Sequence, residues 1–130
     1  MERPLLLLLF VLLIGKIAYR FNRLPLYSNP RRGRELLADW RRLPTLMHRN
    51  LGCSVETFDD LVSWLNAHSD LRDSRHMTIA ERLAIFLFIC RYNASQPLTQ
   101  TVFSRGAWAV SNSFNSVLKA LLPLYDEVVK

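Results

Sequence analysis

The chain has 130 residues, with 17 lysines and arginines against 11 aspartates and glutamates, so its formal net charge is +6. This length predicts a single domain with one core. Half of the residues are hydrophobic, and the four glycines and six prolines are few, which excludes a disordered or collagen-like chain. The excess of cations favours an anionic partner, such as nucleic acid or an acidic membrane surface.

The positive charge is concentrated in one segment of the chain. Residues 16–49 contain nine basic and two acidic residues, a net charge of +7, whereas residues 50–130 contain seven basic and eight acidic residues. Because a binding surface needs local charge density, we expect residues 16–49 to supply most of the attraction to an anionic partner. The candidate nucleic-acid contacts of this segment are Arg31, Arg32, Arg34, Arg41 and Arg42.

Residues 1–19 form an apolar leader, which includes an uncharged run over residues 4–15 that ends at Lys16. A helix continued to residue 19 would measure roughly 24 Å, against about 30 Å of hydrocarbon in a bilayer. A signal-peptide cleavage site after Ala18 would place Lys16 where a small neutral residue is preferred. Three interpretations stay open: an uncleaved membrane anchor through residues 4–19, a signal peptide, and an apolar helix outside the folded core.

Residues 20–32 contain two prolines and no sustained hydrophobic period, which predicts an extended basic linker. The folded domain is therefore expected over residues 33–130. Its first part predicts a short helix over 34–42, with Leu36, Leu37 and Trp40 buried, and a further short turn over 43–50. Ser54 is expected to cap a helix that extends to Asn66.

The segment Thr78-Ile-Ala-Glu81 has the pattern of a capping box, in which the threonine hydroxyl and the glutamate carboxylate each satisfy a free amide. The helix that follows, over 79–92, is apolar on more than one side, which predicts a central position in a bundle. Cys90 is accordingly expected in the core. No segment alternates with the period of two that strands require, so the predicted fold is an all-α small bundle.

The last third of the chain predicts a helix-turn-helix unit. Ser95 is expected to cap a short helix over 97–103, and a break at residues 104–106 precedes a helix over 107–122 that ends at Pro123, with a last turn beyond it. The inward residues of the long helix are predicted to be Val110, Phe114, Val117, Leu118 and Leu121. The outward ones, with Arg105 in the turn, are the candidate DNA contacts: Arg105, Trp108, Ser111, Asn112, Asn115 and Lys119.

The sequence predicts neither a catalytic site nor a metal or cofactor site. Cys53 and Cys90 are 37 residues apart with no histidine or cysteine at metal-ligand spacing. The three histidines are scattered, and the acidic pair Asp59 and Asp60 lies in the first turns of a helix, where negative charge favours the helix dipole. We expect no small-molecule substrate.

Several segments resemble the N-terminal domain, of unknown function, of Harbinger-type transposase-derived nucleases. The resemblance covers residues 33–130 and is most specific over 81–87, within the matching segment 78–87. Its other elements are residues 49–61, residues 73–75, Phe103, Val110, Ser111, Phe114, Val117 and Leu118. In such proteins this helix-turn-helix module precedes a nuclease domain with three catalytic carboxylates. The resemblance implies duplex DNA as the partner of a non-catalytic domain, a truncated or degenerate copy that a separate nuclease partner would complement.

The chain departs from the family pattern around the proposed recognition helix. The residues at the departing positions are Thr101, Val102, Gly106, Ala109 and Asn112. Asn112 stands where the family has an arginine, the residue that makes the strongest phosphate or guanine contact. The alternative to DNA binding is a membrane-anchored helical protein-interaction module. The first function predicts a nuclear location, and the second a location at a membrane.

Overall fold

The computed structural model describes residues 6–14 and 31–129, which form seven helices and no strand. The helices are α1 (6–14), α2 (Arg32–Arg42), α3 (Pro44–Leu51), α4 (Val55–His68), α5 (Ile79–Tyr92), α6 (Gln96–Phe103) and α7 (Ala107–Val129). The predicted all-α bundle is confirmed. The predicted linker lies outside the described residues up to residue 30, and α2 starts at Arg32, two residues before the predicted start.

Helix starts follow local side-chain caps. The Oγ atoms of Ser54 and Ser95 accept hydrogen bonds from the amides three residues later, at 3.2 Å each, and Thr78 Oγ1 accepts from the Glu81 amide at 3.1 Å. These three caps are confirmed. The second half of the predicted capping box is not formed, because the Glu81 carboxylate binds Arg105 instead. A different amide of the helix start, that of Ile79, donates to Asp73 Oδ1 at 2.8 Å.

Helix α5 is the centre of the bundle, as predicted, and contacts α2, α3, α4, α6 and α7. The core around it is aromatic and aliphatic: the Phe103 ring packs edge-on against those of Trp40 and Phe88, with centroids 6.1 and 5.5 Å away. The fully buried hydrophobic side chains are Met47, Phe58, Leu65, Leu83, Ala84, Ile85, Phe103 and Val117. The prediction that Cys90 belongs to this core is wrong, because it lies on the exposed side of α5.

Helix α7 is longer than predicted. Pro123 lies inside it and does not end it. A proline keeps a helical φ and removes a single amide donor, so the chain can continue as a helix at a cost of about 3 kcal/mol. Val110 and Val117 are buried as predicted. The prediction that Leu118 points inward is wrong, because it is 41% exposed, and the polar Ser113 is buried on the inner side of the helix. The C-terminal half of α7 therefore presents apolar residues to solvent.

Candidate nucleic-acid interface

Helices α5, α6 and α7 have the layout expected of a helix-turn-helix unit. Between α6 and α7 the chain turns within three residues, and Ser104 takes a left-handed conformation with φ 53°. Helix α7 packs on both α5 and α6, and the Phe86 and Phe114 rings meet at a centroid distance of 5.0 Å. The N-terminal half of α7 is therefore held with one side against the bundle and the other towards solvent.

The predicted contact residues of α7 lie on its outer side. Trp108 is the most exposed large hydrophobic residue of the described chain, at 77%, and Ser111, Asn115 and Lys119 are also exposed. Asn112 is half-buried and its Oδ1 accepts a hydrogen bond from Ser116. Spacings of three and four residues bring these side chains onto one stripe of the helix surface.

A hydrogen-bonded side chain ties this stripe to the start of α6. Gln96 Nε2 donates to Ser111 Oγ at 2.6 Å and to the Ala107 carbonyl at 3.0 Å. The bond occupies the Ser111 hydroxyl as an acceptor and orients the first turn of α7. Beside it lies a groove of about 290 Å³, mostly apolar, between α5, α6 and α7. The groove is lined by Ile89, Ala94, Gln96, Val110, Ser111, Phe114 and Asn115.

The structure corrects the expected place of Arg105. Its Nε donates to Glu81 Oε2 at 2.6 Å, and its Nη2 donates to Glu81 Oε1 at 2.9 Å and to the His76 carbonyl at 2.7 Å. The Arg105 side chain is only 12% exposed and that of Glu81 is fully buried. A carboxylate removed from water needs a paired cation, so this guanidinium holds the interior together and is not a surface contact.

The start of α2 lies against the same ion pair. Gly33, in the first turn of α2, approaches Glu81 so closely that an added Cβ would lie 2.4 Å from the Glu81 Cδ. Arg105 binds the same carboxylate and precedes α7 by two residues, so this ion pair links the start of α2 to the turn before α7. Arg31, Arg32 and Arg34, all exposed, flank Gly33 at this end.

The other two candidate arginines of α2 have acidic partners. Arg41 Nη2 lies 2.6 Å from Asp59 Oδ1, and its guanidinium carbon lies 5.5 Å from the centre of the Phe58 ring. Arg42 pairs with Asp39 on the same helix. The structure thus divides the predicted cations of α2 into a group at the start of the helix, near Glu81, and a group at its end that pairs with Asp59 and Asp39.

The described residues hold no group of three or more histidine, cysteine, aspartate or glutamate side chains that could bind a metal ion. Both free thiols are partly shielded from water, and this burial raises the pKa of Cys53 and of Cys90. A raised pKa lowers the fraction of nucleophilic thiolate near neutral pH.

Helix α1 has no apolar partner among the residues that the structure describes. Each of its nine residues is between 48% and 65% exposed. Among the described residues, no helix combines the length and hydrophobicity needed to cross a bilayer. The remaining residues of the predicted anchor, 4, 5 and 15–19, lie outside the described residues.

Three buried polar side chains of the interface region were missed by the sequence interpretation: Glu81 as an ion-pair partner, Thr99 and Ser113. Thr99 Oγ1 donates to the Ser95 carbonyl at 2.9 Å, and Ser113 Oγ contacts the Met77 sulfur at 3.4 Å. The signal for Ser113 was its spacing of three and four residues from Val110 and Val117, which places it on the buried side of α7.

A family model described as a domain of unknown function, DUF8040, matches residues 34–123. The match covers nearly all of α2, all of α3 to α6, and α7 up to residue 123. No curated protein and no solved structure matches the chain. With more than two thirds of its length matched, the chain belongs to the DUF8040 family of domains of unknown function.

Proposed function

We propose that the domain binds duplex DNA, without catalysis, through the N-terminal half of α7 and the basic start of α2. The observation that carries the proposal is the contact between Gly33 and Glu81, which places exposed arginines at the end of α2 that meets the Glu81–Arg105 ion pair, and this pair holds the turn before the outer helix of a helix-turn-helix unit. In such units the first residues of the recognition helix contact base edges. The resemblance to Harbinger-type nucleases supports the same function.

The exposed side chains of α7 are suited to contact DNA bases, and those at the start of α2 are suited to contact the phosphate backbone. Asparagine amides such as those of Asn112 and Asn115 can form two hydrogen bonds with adenine in the major groove, and the Trp108 ring offers an apolar surface for a thymine methyl. Arg32 and Arg34 would contact phosphates beside the groove and set the orientation of the helix. Because α6 and α7 carry few cations, most of the affinity would come from the start of α2 and the segment before it.

A salt titration of DNA binding tests the proposal. The full chain is added to a fluorescently labelled duplex, and binding is followed by anisotropy between about 50 and 200 mM salt. Each phosphate neutralised contributes about −0.9 to the slope of log affinity against log salt, so we expect a slope of several units. Absence of binding at the lowest salt, or an affinity that salt leaves unchanged, would contradict DNA binding.

Sequence readout needs its own measurement. Selection of bound duplexes from a random pool should enrich a motif that contains adenine, and Asn115→Ala should reduce the preference for that adenine by about tenfold to hundredfold. The matched control is Asn66→Ala, an exposed asparagine at the end of α4. If no sequence is enriched, the domain contacts only the DNA backbone. It would then not direct a separate nuclease partner to a defined target.

A second candidate function follows from α1. Nine consecutive apolar residues with no partner in the described chain favour insertion into the surface of a bilayer, which would make the protein a membrane-attached helical interaction module. Co-sedimentation of the full chain with vesicles of neutral and anionic phospholipid tests this. Binding that resists high salt and is lost in Leu8→Asp/Leu12→Asp would support it, whereas release by salt alone would contradict insertion.

A further inference from the structure

The C-terminal half of α7 carries a row of exposed apolar side chains. Leu118, Leu122 and Tyr125 are 41%, 53% and 62% exposed, and we refer to these three residues as the α7 stripe. Their spacing of four and then three residues places them on one face of the helix. A face with this spacing is the pattern by which two helices pack against each other, with each side chain inserted between those of the partner.

The described chain leaves the α7 stripe partly uncovered, with its three side chains between 41% and 62% exposed. The bundle is contacted by another side of the helix, where Val110, Ser113 and Val117 are buried. Pro123 lies off the stripe, on the flank that, with Lys119, lines a groove shared with His68, Asp70 and Leu71. The stripe is therefore accessible to a second molecule without displacement of any helix of the domain.

Two charged residues indicate what this second molecule is. Lys119 and Asp126 lie seven residues apart, each directly after a stripe residue, on the same flank of the helix. Both are exposed, and neither forms an ion pair within the described part of the chain. The flank therefore presents one positive and one negative charge at a separation of two helical turns.

The two charges can pair between two copies only if this flank of one α7 faces the same flank of a second α7 that runs in the opposite direction. In an antiparallel pair of helices the same flanks face each other, so Lys119 of each copy meets Asp126 of the partner. The same register packs Leu122 of each copy against Tyr125 of the partner. In a parallel pair, this flank would face the opposite flank, which carries the apolar Phe114 and Leu121 and offers no charge.

We propose that the protein forms an antiparallel dimer in which the α7 stripes of two copies pack together, flanked by two Lys119–Asp126 ion pairs. The proposal is independent of DNA binding. It leaves the first two turns of α7 uncovered and gives Lys119 a protein partner in place of the phosphate that its sequence position suggested. A contact of three apolar residues on each side is small, so a weak, concentration-dependent dimer is expected.

Sedimentation equilibrium of the full chain without DNA tests the dimer, at protein concentrations up to about 300 μM, which suits weak interfaces. The central variant is Leu122→Arg, which should raise the dimer dissociation constant about tenfold or more because a charge would be buried against the partner's apolar side chains. The matched control is Leu98→Ser, an exposed leucine of α6 at 48% exposure, which should leave the constant unchanged. Far-UV circular dichroism verifies that each variant stays folded.

Charge reversal identifies the register and the direction of the helices. Lys119→Asp alone and Asp126→Lys alone place like charges at both ion pairs and should each weaken self-association about tenfold. A mixture of the two variants should form a mixed dimer with nearly the wild-type constant, because each negative flank then meets a positive one. The double variant Lys119→Asp/Asp126→Lys should also dimerise like the wild type.

Three results would overturn the proposal. A chain that is monomeric up to the highest concentration has no such dimer. An association that Leu122→Arg does not weaken is held by another surface, such as α1. A dimer that Leu122→Arg disrupts but that is not recovered on mixing the two charge variants does not have the antiparallel register.

Discussion

The guanidinium of Arg105 donates two hydrogen bonds, of 2.6 and 2.9 Å, to the fully buried carboxylate of Glu81. This pair joins the start of the central helix α5 to the turn before α7, and the His76 carbonyl accepts a third hydrogen bond from Arg105. No buried side-chain nitrogen or oxygen of the described residues lacks a partner. The geometry of the candidate interface therefore depends on this ion pair.

Removal of the cation should destabilise the domain strongly. Arg105→Met would leave the buried Glu81 carboxylate without its charge partner, and we expect the free energy of unfolding to fall by about 3–5 kcal/mol. Urea denaturation followed by circular dichroism measures it. Glu81→Gln/Arg105→Met should be less destabilised than Arg105→Met, since no uncompensated charge remains. The control is the exposed Arg42–Asp39 pair, where Arg42→Met should lower the free energy of unfolding by less than about 1 kcal/mol. An equal loss of stability for Arg42→Met and Arg105→Met would contradict the role of Arg105.

The close approach of α2 to α5 makes a second prediction. Gly33→Ala should destabilise the domain by about 1–3 kcal/mol, although alanine favours helices over glycine, because its Cβ would overlap the Glu81 carboxyl group. Gly106→Ala is the matched control, since an added Cβ there meets no atom within 4 Å. Thermal melts of both variants measure the change in stability. A Gly33→Ala protein as stable as the wild type would show that the two helices can separate without cost.

The proposed DNA surface predicts which arginines matter. Arg32→Gln/Arg34→Gln should weaken duplex binding and lower the salt slope by about 1.8, the equivalent of two phosphate contacts. Arg91→Gln removes a similar exposed cation at the other end of α5, about 15 Å from the Glu81 end along the helix. That control should change the slope much less. An equal change of the salt slope per arginine removed, at the start of α2 and at the end of α5, would indicate binding without a defined face.

The exposed thiol of Cys90 gives a prediction that depends on pH. Partial burial raises the pKa of Cys90, so less thiolate is present at a given pH than in a free thiol. Reaction with a disulfide reagent should therefore be slower than that of glutathione near pH 8, and the difference should shrink as pH rises through the raised pKa. Because Cys90 lies outside the core, Cys90→Ser should retain the wild-type melting temperature. A large loss of stability would contradict its exposed position.

Local sequence patterns predicted the helices and their starts because a cap needs only residues three positions apart. Ser54, Thr78 and Ser95 accept the expected amide hydrogen bonds, and Leu36, Leu37 and Trp40 are buried as their spacing predicted. The all-α fold followed from hydrophobic periods that are independent of the rest of the chain. The family to which the domain belongs is also carried by this linear pattern.

Tertiary contacts decided what the linear pattern left ambiguous. Helix α5 is apolar nearly all round, so its period could not show that Cys90 faces solvent, and only the positions of five neighbouring helices decide it. Glu81 has a local capping pattern, yet its carboxylate pairs with Arg105, 24 residues away. A buried carboxylate is stabilised more by a paired cation than by a hydrogen bond from one backbone amide. Whether a charged side chain lies at the surface or forms a buried ion pair depends on which residues the folded chain brings next to it. The linear sequence does not contain the distances between residues that are far apart along the chain.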